Sequence, residues 1–179
     1  MPLLSSPSSA SPKIKVIVQV SLLFLVLLTS CAKPSSWAVD HMQTGDAAYD
    51  STKLLYAAKD PVNGVDLEML QIGGALIAYL QVHSQVVPPY RGNGKEALVT
   101  LKVDDQVTSG IAERHEGGQR LRLTRDLQEQ LLEALQAQKS VQLQLEGYQA
   151  FISAEDFPEH FKTFQKTKVR NPFQLPFKL

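Results

Sequence analysis

The stretch Val65–Val82, VDLEMLQIGGALIAYLQV, decides how the rest of the chain is interpreted. Apolar residues occupy alternate positions from Val65 to Met69, and a second alternating run follows the pair Gly73-Gly74. Apolar residues at every second position are typical of a strand that buries one face. Two such runs around a glycine pair predict a β-hairpin. The competing interpretation is a single helix over residues 67–82, in which each central glycine would cost about 1 kcal/mol relative to alanine.

More alternating runs follow the hairpin and extend the predicted sheet. Apolar residues alternate with polar ones from Ala97 to Val103, and the turn Asp104-Asp105 ends this run. The later runs are also extended, which favours half-buried antiparallel strands. They cover residues 107–115, 119–123, 141–145 and 149–152.

A stripe of leucines at helical spacing interrupts the strands and predicts an amphipathic helix over Arg125–Gln138. Thr124 precedes this helix at a position suited to an N-cap, and Asp126 is favourable near the positive end of the helix dipole. The stripe consists of Leu127, Leu131, Leu132 and Leu135.

Two shorter segments are also predicted to be helical. Residues 51–59, STKLLYAAK, favour one or two helical turns. Near the C-terminus, Phe157, Phe161 and Phe164 have helical spacing and predict a short helix that lays an aromatic face on the sheet.

This order of elements predicts an α+β domain. Its main part is an antiparallel sheet, and the Arg125–Gln138 helix packs on one face of it. The alternative is a β-sandwich with one inserted helix. We expect the globular domain to cover residues 51–165.

The N-terminal part of the chain has the composition of a secretory leader. Lys13 and Lys15 precede an apolar run from Val16 to Leu28. This run is shorter than the ~20 residues that a helix needs to cross a bilayer, and it matches the apolar core of a signal peptide.

The tetrad that closes the leader, Leu28-Thr29-Ser30-Cys31, resembles the lipobox of bacterial lipoproteins. The resemblance covers residues 13–31 and implies cleavage after a signal peptide of residues 1–30 and acylation of Cys31. The acyl chains would then attach the protein to a membrane, since two or more chains give stable anchoring. Ala32, rather than Asp, follows the cysteine, and in this family that favours the outer membrane, facing the periplasm.

Residues 31–50 are predicted to form a lipidated tether. Ala32–Gly45 is polar and contains Pro34, as flexible linkers do. Trp37 lies in this segment, and two interpretations stay open: its ring rests at the level of the lipid headgroups, or it docks on the domain.

Composition limits the classes of partner. The formal net charge is +0, and the leader holds lysines but no acids, so the mature chain is slightly acidic. A general nucleic-acid partner is therefore not expected. The single cysteine is assigned to lipid, so no disulfide is expected either.

No sequence motif indicates catalysis, a metal or another cofactor. The four histidines are scattered, although His83 and His115 would become catalytic candidates if the fold placed one beside a carboxylate in a pocket. We therefore expect a non-catalytic binding or assembly module with an envelope protein as partner. The alternative is an envelope hydrolase, because catalytic triads are defined by geometry and need not form a sequence motif.

The C-terminal tail, residues 166–179, is basic. Lys166, Lys168 and Arg170 are candidates for contact with an anionic surface, such as the membrane that carries the anchor. The alternative is a solvated chain end without a binding role.

Overall fold

Strands dominate the described part of the chain, which is residues 35–42, 51–72 and 75–166 of a computed structural model. The strands are β1 (Trp37–Met42), β2 (Ser51–Tyr56), β3 (Val65–Ile72), β4 (Ala75–Val82), β5 (Glu96–Val103), β6 (Gln106–Arg114), β7 (Arg120–Arg122), β8 (Val141–Leu145) and β9 (Tyr148–Ile152). The α-helices are α1 (Arg125–Gln136) and α2 (Phe157–Lys166), and Tyr90–Gly92 forms a short 3₁₀ helix before β5.

The nine strands form one antiparallel sheet in the order β1-β2-β3-β4-β7-β6-β5-β8-β9. The predicted α+β class with a mainly antiparallel sheet is therefore confirmed. The alternative, a β-sandwich, is not observed, because all described strands belong to a single sheet.

The predicted hairpin is β3 paired with β4. Val65 lies opposite Val82, and Leu67 lies opposite Leu80. Because both strands have a period of two, these four side chains lie on the same face of the sheet, and all four are buried. The helical interpretation of residues 67–82 is wrong.

Both helices lie on the face of the sheet that carries the core. α1 buries the leucine stripe Leu127, Leu131 and Leu135 and contacts β5, β6 and β8. It begins at Arg125 as predicted and ends two residues before the predicted Gln138. Thr124 occupies the N-cap position, but its side chain makes no capping hydrogen bond.

The aromatic helix predicted near the C-terminus is α2, which contacts β1, β2 and α1. Phe157, Phe161 and Phe164 are buried, as their helical spacing predicts.

Two predictions for the N-terminal part of the domain are wrong. Residues 51–56 form the strand β2 and not helical turns, because Thr52, Leu54 and Tyr56 are buried on one face and alternate with half-buried neighbours. The predicted tether 31–50 contains the strand β1, which pairs with β2 from Trp37 to Met42. The folded domain therefore includes Trp37–Met42, ahead of the predicted boundary at residue 51.

Trp37 docks on the domain, so the second interpretation of this residue is the right one. Its ring is 2% exposed and lies 4.9 Å from the ring of Tyr56 and 4.7 Å from that of Phe157, centroid to centroid. Its Nε1–H donates a hydrogen bond to the carbonyl of Ser153 at 2.9 Å. The Tyr56 hydroxyl donates to the Phe151 carbonyl and accepts from the Ser153 N–H, both at 3.2 Å. The sheet is therefore curled, since β1 and β2 meet the end of β9.

The Trp37 contacts predict a large contribution of β1 to stability. Trp37→Ala should lower the free energy of unfolding by about 3–5 kcal/mol, the usual cost of truncating a buried aromatic residue. Trp37→Phe should cost about 1–3 kcal/mol, because it leaves the Ser153 carbonyl without its donor. Urea denaturation of residues 35–179, followed by circular dichroism, measures both values.

Met42→Ala is the matched control for Trp37, because Met42 belongs to the same strand and is 59% exposed. Its effect should stay within about 0.5 kcal/mol. An equal loss of stability in Trp37→Ala and Met42→Ala would contradict the assignment of β1 to the folded domain.

Candidate functional site

Of the site residues predicted from the sequence, the structure describes Lys166 alone. Cys31, Lys168 and Arg170 lie outside the described residues. Lys166 is the last residue of α2 and is exposed.

His83 follows β4 and lies beside a carboxylate. Its Nε2 is 2.9 Å from Oδ2 of Asp66, and its Nδ1 is 2.9 Å from the carbonyl oxygen of Pro61. Both neighbours are acceptors only, so the ring satisfies both of them when each nitrogen carries a proton. The hydrogen bond to Asp66 and, to a smaller extent, that to Pro61 raise the pKa of His83 above its usual value of 6.5. Asp60 adds a favourable charge nearby.

This geometry gives His83 a structural role. The other Asp66 oxygen, Oδ1, accepts a hydrogen bond from the Ala58 N–H at 2.9 Å, so the carboxylate is also engaged on both sides. His83 therefore links β3 to the loop that precedes it, and neither ring nitrogen is free to accept a proton from a nucleophile. His83 lines none of the three pockets described below.

His115 lies at the start of the turn between β6 and β7. Its ring meets the ring of Tyr79 edge to face, with centroids 5.7 Å apart. Its Nε2 is buried and has no hydrogen-bond partner among the residues that the structure describes. Within the described residues no carboxylate pairs with this ring, so the combination expected of a catalytic histidine is not formed there.

Charged residues on the outer face of the sheet form a ladder across four strands. Glu68 on β3 pairs with Lys53 at 3.3 Å and with Arg120 at 2.5 Å, and the Arg120 guanidinium lies 4.3 Å from the centre of the Tyr79 ring. Beside them is a shallow pocket of about 210 Å³ that Lys53, Glu68 and Arg120 help to line. Asp40 also lines this pocket, so two acidic side chains balance two basic ones and the lining does not select for a charged ligand.

One ion pair connects the adjacent strands β6 and β7. Arg122 lies 3.5 Å from Glu113. Arg120 instead reaches Glu68, and Arg114 donates to the carbonyls of Val87 at 2.7 Å and Gly94 at 3.0 Å.

A larger opening lies between α1 and β6, and we call it the α1–β6 groove. It consists of two pockets, of about 380 Å³ and about 340 Å³, which share Thr108 and Gln130. The strand side includes Gln106, Thr108, Ser109, Gly110 and Ile111. The helix side includes Thr124, Asp126, Leu127, Gln130, Glu133 and Ala134.

Gly110 sets the distance between the two walls of the groove. A Cβ atom at this position would lie 2.9 Å from Cγ of Leu127, which is closer than side-chain carbons approach one another. The glycine therefore allows the first turn of α1 to pack directly on β6. Thr108, two residues before Gly110 on the same face of β6, has a short side chain and lines both pockets.

The charge of the groove is negative. Asp126 and Glu133 are exposed on the helix wall, and neither forms an ion pair with a described residue. Lys139 also lines the groove, but its Nζ is 2.9 Å from Oδ2 of Asp104. Two carboxylates are therefore available to a ligand.

The sequence does not predict this groove. It predicts the strand at residues 107–115 and the helix from Arg125, but the groove depends on where β7 ends between them. One signal is visible in the sequence, namely the run from Gln106 to Ala112 without any charged residue.

Comparison with known proteins gives no relative: no family model matches the chain, and no curated protein and no solved structure matches it. In the part of the chain that the structure describes, no helix has the length and apolar character needed to cross a membrane. In the same part, no cluster of three or more His, Cys, Asp or Glu side chains could hold a metal ion.

The His83 contacts predict a pH-dependent stability. The folded state raises the pKa of His83, so the stabilisation is fully present below the unfolded value of 6.5 and is lost as the pH rises through the folded pKa. His83→Gln should therefore lower the free energy of unfolding more at about pH 5.5 than at about pH 9. Urea denaturation at both pH values measures the difference.

Asp66→Asn is the control for the partner of His83. It removes the carboxylate, so it should reduce the same pH dependence, and the double variant should show little further change. If His83→Gln costs equal stability at both pH values, the imidazolium link is not formed.

Proposed function

We propose that this protein is a lipid-anchored lipoprotein of the bacterial envelope that binds a partner protein and does not catalyse a reaction. The observation that carries the binding part is the α1–β6 groove. Its lining consists of hydroxyl, amide and aliphatic side chains with two carboxylates and the ion-paired Lys139, which suits recognition of a polypeptide better than bond cleavage. The one histidine that pairs with a carboxylate, His83, is engaged by acceptors on both sides.

The anchoring part of the proposal rests on the lipobox resemblance. Acylated Cys31 would hold the domain close to the membrane, because Trp37 already belongs to β1. A chain from Cys31 to Trp37 spans at most about 20 Å even when fully extended. The proposal places the domain on the periplasmic side of the outer membrane, within reach of other envelope proteins.

Lipid attachment is tested by the intact mass of the protein purified from bacterial membranes. We expect loss of residues 1–30 and the added mass of acyl chains on Cys31. Cys31→Ser should lose this modification and leave the membrane fraction, because its thiol is absent.

Ser30→Ala is the matched control, since the lipobox accepts a small residue before the cysteine. It should be lipidated like the parent chain. Membrane association of Cys31→Ser at the parent level would reject the anchor.

The basic tail is proposed to orient the anchored domain on an anionic bilayer. Each Lys or Arg near such a surface contributes about 1 kcal/mol, so the tail alone binds weakly and acts together with the lipid anchor. Residues 35–179 without lipid should bind anionic vesicles at low salt and lose this binding when Lys166, Lys168 and Arg170 are all changed to Gln. Vesicle co-sedimentation measures the bound fraction.

A second triple variant controls for the change in net charge. Lys59, Lys95 and Lys102 are exposed on the domain, and changing all three to Gln removes the same charge elsewhere. Binding should persist in this variant. An equal loss in both triple variants, or equal binding to neutral vesicles, would contradict a specific role of the tail.

A further inference from the structure

The hydrogen-bonding direction of β6 alternates along the strand and identifies an open edge. The Arg114 N–H donates to the Lys95 carbonyl next to β5, whereas the His115 N–H donates to the Arg120 carbonyl on the β7 side. In an antiparallel strand, successive residues direct their N–H and C=O groups to opposite sides. Val107, Ser109 and Ile111 therefore direct theirs away from β5, toward the side of β7.

The strand β7 is too short to cover these groups. It pairs with β6 only at Glu113 and Arg114, and the chain then leaves β6 to begin α1. Among the described residues no hydrogen bond to the N–H groups of Val107, Ser109 or Ile111 is formed. Three donors and three acceptors thus line the edge beside the α1–β6 groove.

This edge differs from the two terminal edges of the sheet. Edge strands of soluble proteins are usually protected by charge, proline or a covering element. β1 carries Asp40, and the end of β9 is covered through Trp37 and Tyr56. The β6 segment from Gln106 to Ala112 has no charged residue and no proline, and Val107 is 61% exposed.

We propose that an extended segment of a partner polypeptide with basic side chains binds along this edge and adds a strand to the sheet. Main-chain hydrogen bonds to Val107, Ser109 and Ile111 would supply affinity for any extended chain. The α1 wall would select its charge. This inference rests on the proposed binding function and names its ligand.

The charge preference follows from the positions of Asp126 and Glu133. Asp126 and Glu133 are seven positions apart in α1, which corresponds to about 10 Å along the helix axis. Side chains on one face of an extended strand recur about every 6.8 Å. Two Lys or Arg residues, two to four positions apart on the face toward α1, can therefore reach both carboxylates. An acidic segment would be repelled by the same wall.

Residue-resolved amide hydrogen exchange of the full-length chain in detergent tests the mode of binding. The probe is a short synthetic peptide in which Thr and Lys alternate. At about ten times its dissociation constant, it should slow exchange at Val107, Ser109 and Ile111 about tenfold. Thr108 and Gly110 should change little, because their amides already face β5.

Two controls separate strand addition from other binding. A peptide N-methylated at alternate residues lacks the donors, so it should give no protection. Ser109→Pro removes an edge N–H and should abolish protection, whereas Gln149→Pro, at an exposed position of the edge strand β9, should preserve it. Equal protection of even and odd residues of β6, or none at all, would overturn the proposal.

The charge assignment has its own variants. Asp126→Asn combined with Glu133→Gln should remove the preference for the Lys peptide over a Thr/Glu peptide while the odd-residue protection persists. Glu116→Gln with Glu146→Gln, both exposed away from the groove lining, should leave the preference unchanged.

Protection that appears without peptide and rises with protein concentration would assign the edge to a second copy instead. Failure of Cys31 lipidation would leave these results unaffected, so the two proposals fail separately.

Discussion

The contact of Trp37 and Tyr56 with the end of β9 is the constraint on which the rest of the structure depends. It joins residues 116 positions apart in the chain through the bond from Trp37 Nε1 to the Ser153 carbonyl. Two helices on one face cannot cover a flat sheet of nine strands. The sheet therefore has to curl around them in order to bury that face. The aromatic pair holds the curl, because the Tyr56 hydroxyl satisfies both the Phe151 carbonyl and the Ser153 N–H. α2 then continues the aromatic cluster from Trp37 through Phe157.

The same arrangement of helices and strands explains why β7 is short. The chain must leave the sheet after Arg122 in order to place α1 over β5, β6 and β8. The Leu123 N–H still donates to the Ala78 carbonyl on β4. The chain therefore stops pairing with β6 while it is still bonded to β4. The close contact of Leu127 with Gly110 fixes the first turn of α1 beside β6. α1 lies close to the open edge of β6 and limits access to it from one side. It does not pair with this edge, because the N–H groups along the side of a helix are already bonded within the helix.

The sequence predicts those elements whose local pattern is regular. The hairpin of β3 and β4 and the short strand β8 alternate apolar with polar residues, and α1 has four leucines at helical spacing. The alternation of β1 and β2 is less regular, because His41 and Thr52 lie on the inner face and Leu55 on the outer face. Their identity as strands is decided by distant partners such as Ser153, which no local pattern reveals. The groove was missed for a related reason: it depends on the length of β7, a boundary set by packing of α1.

Electrostatics connects the groove and the anchor. Screening limits interactions between exposed charges to about 8–10 Å at physiological salt. If Cys31 carries the proposed acyl chains, a domain tied there through a chain of at most about 20 Å would come within this range of a bilayer whenever it tumbles toward it. An anionic surface would repel the exposed carboxylates of Asp126 and Glu133. This repulsion would favour orientations in which the α1–β6 groove faces away from the lipid. A proposed partner segment with basic side chains would then meet the groove from the periplasmic side, where the open edge of β6 is accessible.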